Sequence, residues 1–322
     1  MPRIVRVLLA LAISALWAAQ GVAQTYPARP ISLVVPFPAG AANDFLARTL
    51  AAEMRESFGA VIVDNKPGGS GGIAAEYVKR AAPDGHTLLV INDGYLIFSA
   101  MNPSLPYDML RDFEPVIRSN RLAFYLVVNP EAIPVKSLQE FVDFVRARPA
   151  KLSYGSAGNG SPHHLGAEML KLQAGLDVTH VPYKGMAQGM PDFLSGRIQF
   201  IVTGLPVAAS QIKAGKLRVL ATVGSVRSAL MPDVPTFAEA GVAGVELNLW
   251  LGIVAPAGTP KPVIARLNAE FNRVLNIAAV REKLSLQGID VAGGTPDELA
   301  TVMRADLPAF ARIVKATNIR SD

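Results

Sequence analysis

The sequence predicts an α/β protein in which helices wrap parallel sheets, and three observations carry that prediction. Short β-branched runs alternate with longer runs of helical periodicity, and Gly/Pro-rich turns separate them. Half of the 322 residues are apolar, enough for large cores in two lobes. Cysteine is absent, which excludes disulfides, thiol catalysis and Cys-ligated zinc or iron–sulfur sites.

Taken in chain order, the first segment reads as a signal peptide over residues 1–23. Arg3 and Arg6 precede an apolar stretch at 7–17, and the small residues of Gly21-Val22-Ala23 suit cleavage near Ala23. The stretch is too short to span a bilayer, and no later run reaches spanning length. The expectation is an exported, periplasmic chain that starts at Gln24 and holds 299 residues. Without Arg3 and Arg6, 29 basic residues face 26 acidic ones, a net charge of +3. That balance and the lack of a Lys/Arg cluster argue against nucleic acid as a partner.

Strands are predicted at 31–35, 61–63, 87–91, 124–128, 152–154, 178–181, 198–202, 217–222 and 251–255. A helix is predicted over 44–58, with Leu46, Leu50, Met54 and Phe58 on one stripe, Asn43 as its cap and Gly59 as its stop. Ser161-Pro162 opens a helix that Gly175 ends, Thr259-Pro260 opens a run through 275, and Thr295-Pro-Asp-Glu298 reads as a capping box. Two helix starts follow unusually long glycine-bearing loops, "VPFPAGAAND" (35–44) and "YGSAGNGSPHH" (154–164). Such loops present backbone N–H groups at a positive helix end, an arrangement suited to holding an anion.

The turn in "VDNKPGGSGGIAAEYV" satisfies two patterns at once. One is G-x-S-x-G around Ser70, the signature of a secreted serine hydrolase. An elbow needs its serine directly after the strand, but residues 65–69 intervene, and His86, His163, His164 and His180 have no obvious acid partner. The other pattern is G-x-G-x-x-A from Gly69 to Ala74 with Asp93 downstream, where Pro67 and Ser70 lengthen the loop beyond the turn a pyrophosphate requires. The segment reads instead as a loose glycine-permitted connection between strand and helix. His164 and Glu168 lie four apart beside His163, but two ligands do not make a metal site, so a capping or ligand-facing role is expected for one histidine. A third strand–loop–helix junction, "HVPYKGMAQGMPDFLSG" (180–196), offers Tyr183 and Lys184 to an acidic ligand, while Trp250 reads as packing.

Six ordered stretches, "YPARPISLVVPFPAGAANDFLAR", "VDNKPGGSGGIAAEYVKRAAPDGHTLL", "LSYGSAGNGSPHHLGAEML", "HVPYKG", "LRVLATVGSVRSALMPDVPTFAEAGV" and "WLGIVAPAGTPKPVIARLN", resemble the TctC/Bug family. Its members are periplasmic solute receptors of tripartite tricarboxylate transporters, and the resemblance spans essentially the whole mature chain. It implies a type II periplasmic-binding-protein fold, with two lobes around a hinge and a ligand cleft between them. Lobe one comprises 24–124 plus 222–322 and lobe two 125–221. The implied ligand is a small carboxylate (a di- or tricarboxylate, an amino acid or an aromatic acid), and the implied partners are the permease subunits. The chain is expected to be a monomer without metal, cofactor or catalytic residue; the alternative is the hydrolase using Ser70. Carried over by position, the ligand-binding residues are Phe37, Ala39, Gly40, Asn43 and Asp44, then Ser156, Ala157, Gly158 and Ser161, then Tyr183, Lys184 and Gly185, with Thr203 and Gly204 after them. Two departures stand out. Ala41-Ala42 replaces the family's second glycine and threonine, pushing a ligand or water outward by a methyl, and Pro191 is expected to delay the start of the third junction's helix.

Overall fold

The computed structural model describes residues 26–317 and 319, apart from 103, 248 and 287. The expected signal peptide lies outside the described residues. The strands are β1 (Ile31–Val35), β2 (Val61–Asn65), β3 (Thr87–Asn92), β4 (Phe113–Leu122), β5 (Phe124–Val128), β6 (Ser153–Ser156), β7 (Thr179–Pro182), β8 (Phe200–Gly204), β9 (Arg218–Val223), β10 (Leu249–Pro256) and β11 (Ile289–Val291). The helices are α1 (Ala42–Glu53), α2 (Arg55–Phe58), α3 (Gly72–Lys79), α4 (Gly94–Met101), α5 (Leu138–Arg146), α6 (Pro162–Ala174), α7 (Met186–Leu194), α8 (Leu205–Lys213), α9 (Lys261–Leu275), α10 (Ala278–Ser285) and α11 (Pro296–Thr317).

Two sheets result, one ordered β11-β4-β10-β3-β1-β2 and the other β7-β6-β8-β5-β9. The expectation of parallel sheets holds for only part of each. β2, β1 and β3 are parallel, as are β7, β6 and β8. β10 runs antiparallel to β3 and β4, and β5 runs antiparallel to β8 and β9. Both sheets are therefore mixed, because strand direction depends on where the chain re-enters a sheet and not on residue periodicity. β4 passes through Ala123 straight into β5, so one nearly continuous strand carries the chain from the first sheet to the second.

Helix α5 shows how the pattern dictates the packing. Leu138, Phe141, Val142 and Val145 recur at helical spacing and are all buried, and Ser137 caps the start by accepting from the Glu140 amide at 3.2 Å. The stripe predicted for 44–58 is also buried, but the segment breaks at Met54 into α1 and α2 before Gly59, at φ 69°, ends it. On one face of the first sheet, Ile31, Leu33 and Val35 pack with Leu50, Leu267 and Phe271. On the other face a single apolar cluster runs from Val34 and Leu89 through Trp250 and Phe124 to Phe141 and Phe200, joining the two halves. Burying each such side chain contributes about 1.5–3 kcal/mol.

Candidate functional site

Parallel strands β1, β2 and β3 end at one edge of the first sheet, and β6, β7 and β8 end at one edge of the second. Every residue carried over from the sequence lies at or just beyond one of these carboxyl edges, where α/β sheets place their ligands. The edges approach each other: a Cβ added to Gly160, in the loop after β6, would lie 2.5 Å from Met101 Sδ on α4, which leaves β3.

The loop after β1 is organised by its own carboxylate. Asp44 is buried, and its Oδ2 accepts from the Gly40 amide and from Arg48 Nε, each at 2.9 Å. Its Oδ1 accepts from Asn65 Nδ2 at 2.9 Å, and the same Asn65 amide donates to the Phe37 carbonyl at 3.0 Å. Burial raises the Asp44 pKa, but the bonds from Arg48, Gly40 and Asn65 outweigh it and hold the carboxyl below its ordinary range. Asp44 thus shapes the loop, and the Gly40 amide is already spent on it. Asn43 is not the cap: the helix starts at Ala42, two residues before the predicted start, behind Ala41, which has no side chain able to cap. The amides of Ala42, Asn43 and Asp44 therefore have no partner among the described residues, and neither does the buried Asn43 Nδ2. Ala39 and Gly40 are exposed and Phe37 half-buried, and a Cβ added to Gly40 would meet nothing within 4 Å.

The loop after β6 differs from the expectation of free amides. Ser156 Oγ accepts from the Gly158 amide at 3.1 Å and pairs with His180 Nε2 at 2.7 Å. Ser161 caps α6 by accepting from the His164 amide, and donates its hydroxyl to the Gly158 carbonyl at 2.7 Å. His164 Nδ1 accepts from the Gly160 amide at 3.2 Å, and its ring stacks on that of His180 with centroids 3.8 Å apart. Burial, then the neighbouring His180 and Lys171, push the His164 pKa down to about 3, so the ring is a neutral acceptor. Two histidines therefore hold this turn from either side; the capping role expected of one is seen, whereas His180 was missed although it opens the quoted "HVPYKG". The Ala157 amide has no partner among the described residues, and Gly158, at φ 113°, would bring a Cβ no closer than 3.4 Å to the Tyr183 carbonyl.

At the third junction Tyr183 spends its hydroxyl on Asp192 Oδ2 at 2.9 Å, so only its ring and backbone remain. Lys184 is exposed, and Gly185, at φ 122°, also borders open space. Helix α7 begins at Met186 with no side-chain cap, so Pro191 does not delay it as expected. The ring falls inside the helix, where it removes one backbone donor. The amides of Met186 and Ala187 have no partner among the described residues. Thr203, next to the end of β8, has a buried Oγ1 without a partner among the described residues, and Gly204 packs on Phe124, whose ring lies 4.8 Å from that of His163.

The structure brings Ser156, Gly158, Ser161 and Tyr183 into mutual contact, and it ties Phe37, Gly40 and Asp44 together around Asn65. The metal reading of His164 and Glu168 finds no third ligand, since no group of three or more His, Cys, Asp or Glu side chains is placed to hold an ion among the described residues, and Glu168 Oε1 accepts from Tyr154 Oη at 2.5 Å and from Lys171 Nζ at 2.6 Å. Ser70 is not in a loose turn: its φ of 51° and ψ of 34° are left-handed. It makes no hydrogen bond to a histidine among the described residues, and the glycines around it join β2 to α3, with the Gly71 carbonyl accepting from Tyr95 Oη at 2.9 Å.

Comparison with known proteins gives this geometry a context. The family model described as the tripartite tricarboxylate transporter family receptor, TctC, matches residues 46–319. Protein BugT of Bordetella pertussis is 34% identical over 301 residues, covering 92% of each chain. An R. palustris protein solved with adipate aligns with a TM-score of 0.82 at 34% identity, over 92% of this chain and 99% of that one. MatC from Rhodopseudomonas palustris with bound malate aligns with a TM-score of 0.78 at 32% identity, over 90% and 100%. With the family model matched over most of its length, and the two-lobe binding-protein fold shared with solved relatives, this chain belongs to the TctC/Bug family of tripartite tricarboxylate transporter receptors.

Proposed function

We propose that this chain is an exported periplasmic receptor that captures a small carboxylate between its lobes and delivers it to the permease of a tripartite tricarboxylate transporter. The lobes meet near residues 124 and 222, and the receptor acts as a monomer that binds without turnover. One observation carries the reading: the first-turn amides of α1 are uncapped beside an open glycine loop, and the loop's own carboxylate, Asp44, is turned inward onto it. The solved relatives that hold adipate and malate support a carboxylate as the solute.

The ligand oxygens take the amides of Ala42 and Asn43 from the first lobe, and those of Ala157, Met186 and Ala187 from the second. Phe37, Ala39, Gly40, Gly158 and Gly185 line the approach, and Lys184 lends long-range attraction. Donors from both lobes make the closed form the one that ligand favours. Neutral donors ease release, since no buried ion pair has to be broken.

The test is thermal unfolding in the presence of malate, adipate, citrate, aspartate and benzoate. Mass action requires about 2.7 kcal/mol of stabilisation at a hundredfold excess over Kd. At least one acid raises Tm in this reading, and a flat response to all five refutes it. The hydrolase alternative demands ester turnover that disappears with Ser70→Ala; here that variant changes no rate, because there is none to change.

A further inference from the structure

A second hollow lies on the other side of the crossing strand. A cavity of about 610 Å3 opens beside Ala123, walled by Arg118, Arg121, Trp250 and Val302 from the first sheet and the helix packed on it, and by Thr222 of β9 in the second sheet and the loop 224–229 that follows it. Strand order separates it from the amide loops. In the second sheet β5 stands between β9 and the β8-β6-β7 group, and in the first β10 stands between β4 and the β3-β1-β2 group. No residue of 36–44, 156–161 or 183–185 lines it.

Its polar groups are unbalanced. The Arg118 side chain makes no hydrogen bond or ion pair among the described residues, and its Nε is buried. Burial, and then the charge of Arg121, hold the Arg118 pKa below the ordinary arginine value. Of the acids nearby, Asp306 is committed to Trp250 Nε1 at 2.8 Å, and Glu298 to the Thr295 amide at 2.8 Å. Asp290 is paired in register with Arg121 across β11 and β4, yet forms no ion pair with it. Thr222 Oγ1 is buried without a partner as well. A buried donor without an acceptor is costly, and a ligand oxygen at this place would relieve it.

We propose that this cavity is a second ligand site, taking a small organic anion whose acidic group meets Arg118 and Arg121 and whose hydrocarbon lies against Trp250, Leu249 and Val302. Recognition here is by guanidinium, which favours a planar carboxylate in two-pronged geometry, and not by helix amides. Because the walls come from both sheets, an occupant fixes their spacing on the far side of the crossing from the cleft. Its binding is therefore coupled to cleft closure, and the coupling is reciprocal.

The sequence supplies the probe. Its two tryptophans are Trp17 and Trp250, so in the full chain carrying Trp17→Phe the emission reports on the cavity alone. Malate, adipate and benzoate are titrated separately against that protein. At least one gives a saturable emission change that Arg118→Gln weakens tenfold or more and Arg118→Lys weakens less, while the Tm rise from the cleft ligand persists in both variants. In a Gly158→Val background, with fold checked by circular dichroism, the emission change remains although the cleft response is gone. Emission that none of the three acids moves overturns the proposal. So does a change that vanishes with Gly158→Val and ignores Arg118→Gln, which would assign the signal to cleft closure.

Discussion

Replacing Asp44 by asparagine separates two roles, loop anchor and ligand contact, that look alike in sequence. The carboxylate faces donors on both oxygens: Gly40 N and Arg48 Nε on Oδ2, Asn65 Nδ2 on Oδ1, all at 2.9 Å. An amide of the same shape has one acceptor. Whichever way it turns, its NH2 confronts a donor, so at least one charge-assisted bond is lost inside a buried loop, at about 1.5–3 kcal/mol. The Arg48 pair adds little, because that guanidinium is half exposed and such pairs are worth at most about 1 kcal/mol. Asp44→Asn should thus lower the unfolding free energy by about 2–3 kcal/mol at pH 7, read by urea titration. The folded pKa is depressed, so this stabilisation is present above the ordinary carboxylate pKa and is lost as pH falls through the folded value. Wild type and variant should therefore converge on the acid side. Calorimetric titration should show weaker acid binding, since Gly40 and Phe37 lose their anchor. Stability within about 0.5 kcal/mol of wild type, together with tighter acid binding, would refute the reasoning and place the carboxylate against the ligand.

Asp93 is buried with an unpartnered Oδ2, and burial, helped by nearby Asp306, pushes its pKa up to about 8. Its proton is retained on folding but lost by the unfolded chain above its ordinary pKa, so its contribution is full below about pH 4 and declines up to pH 8, by at most about 1.4 kcal/mol per pH unit; Asp93→Asn should flatten that part of a stability-versus-pH curve. Ala41→Ser gives α1 the side-chain cap it lacks, and should raise stability by about 1 kcal/mol in urea titration while weakening acid binding, the opposite signs distinguishing a cap from a general effect. His164→Leu removes the acceptor of the Gly160 amide and should cost about 1–3 kcal/mol, with cleft affinity lowered in calorimetry. With His164 titrating at about 3, wild-type binding should show no loss from this ring between pH 7 and pH 4.5.

The sequence announced the glycine loops because a glycine at positive φ leaves a mark that needs no partner to interpret; Gly40, Gly158 and Gly185 all adopt it. Self-contained helix signals were equally legible, as in the reciprocal bonds between Thr295 and Glu298. What stayed hidden depends on residues distant in the chain. Asp44 is turned inward by Asn65, 21 positions on, and Ser156 is held by His180, 24 positions on, neither of which a local pattern can pair. β4 escaped notice because Pro115, Arg118 and Arg121 interrupt its apolar pattern, although Val116 and Ile117 are fully buried. The antiparallel direction of β5 and β10 has no local signature at all, since alternation reads the same in both directions.

In the proposed reading, two uncapped helix starts explain how such a receptor is stable when empty and still gains from its ligand. Helices α5 and α11 each start on a Ser or Thr hydroxyl that accepts from the first turn, as α6 does on Ser161 beside the proposed site, whereas α9 and α10, away from it, have no side-chain cap. Helices α1 and α7, which start at the two facing edges, have alanine and glycine in that place. A missing cap costs each of them about 1 kcal/mol relative to its capped counterparts, a loss the two apolar cores can absorb. In the proposed reading the carboxylate fills the same vacancy, so that the solute supplies the cap and removes it on leaving. An anion that reached both helix starts would complete them together only with the lobes near each other, so closure in this reading is driven by satisfying backbone donors, without a charge that the protein would have to bury in the absence of ligand.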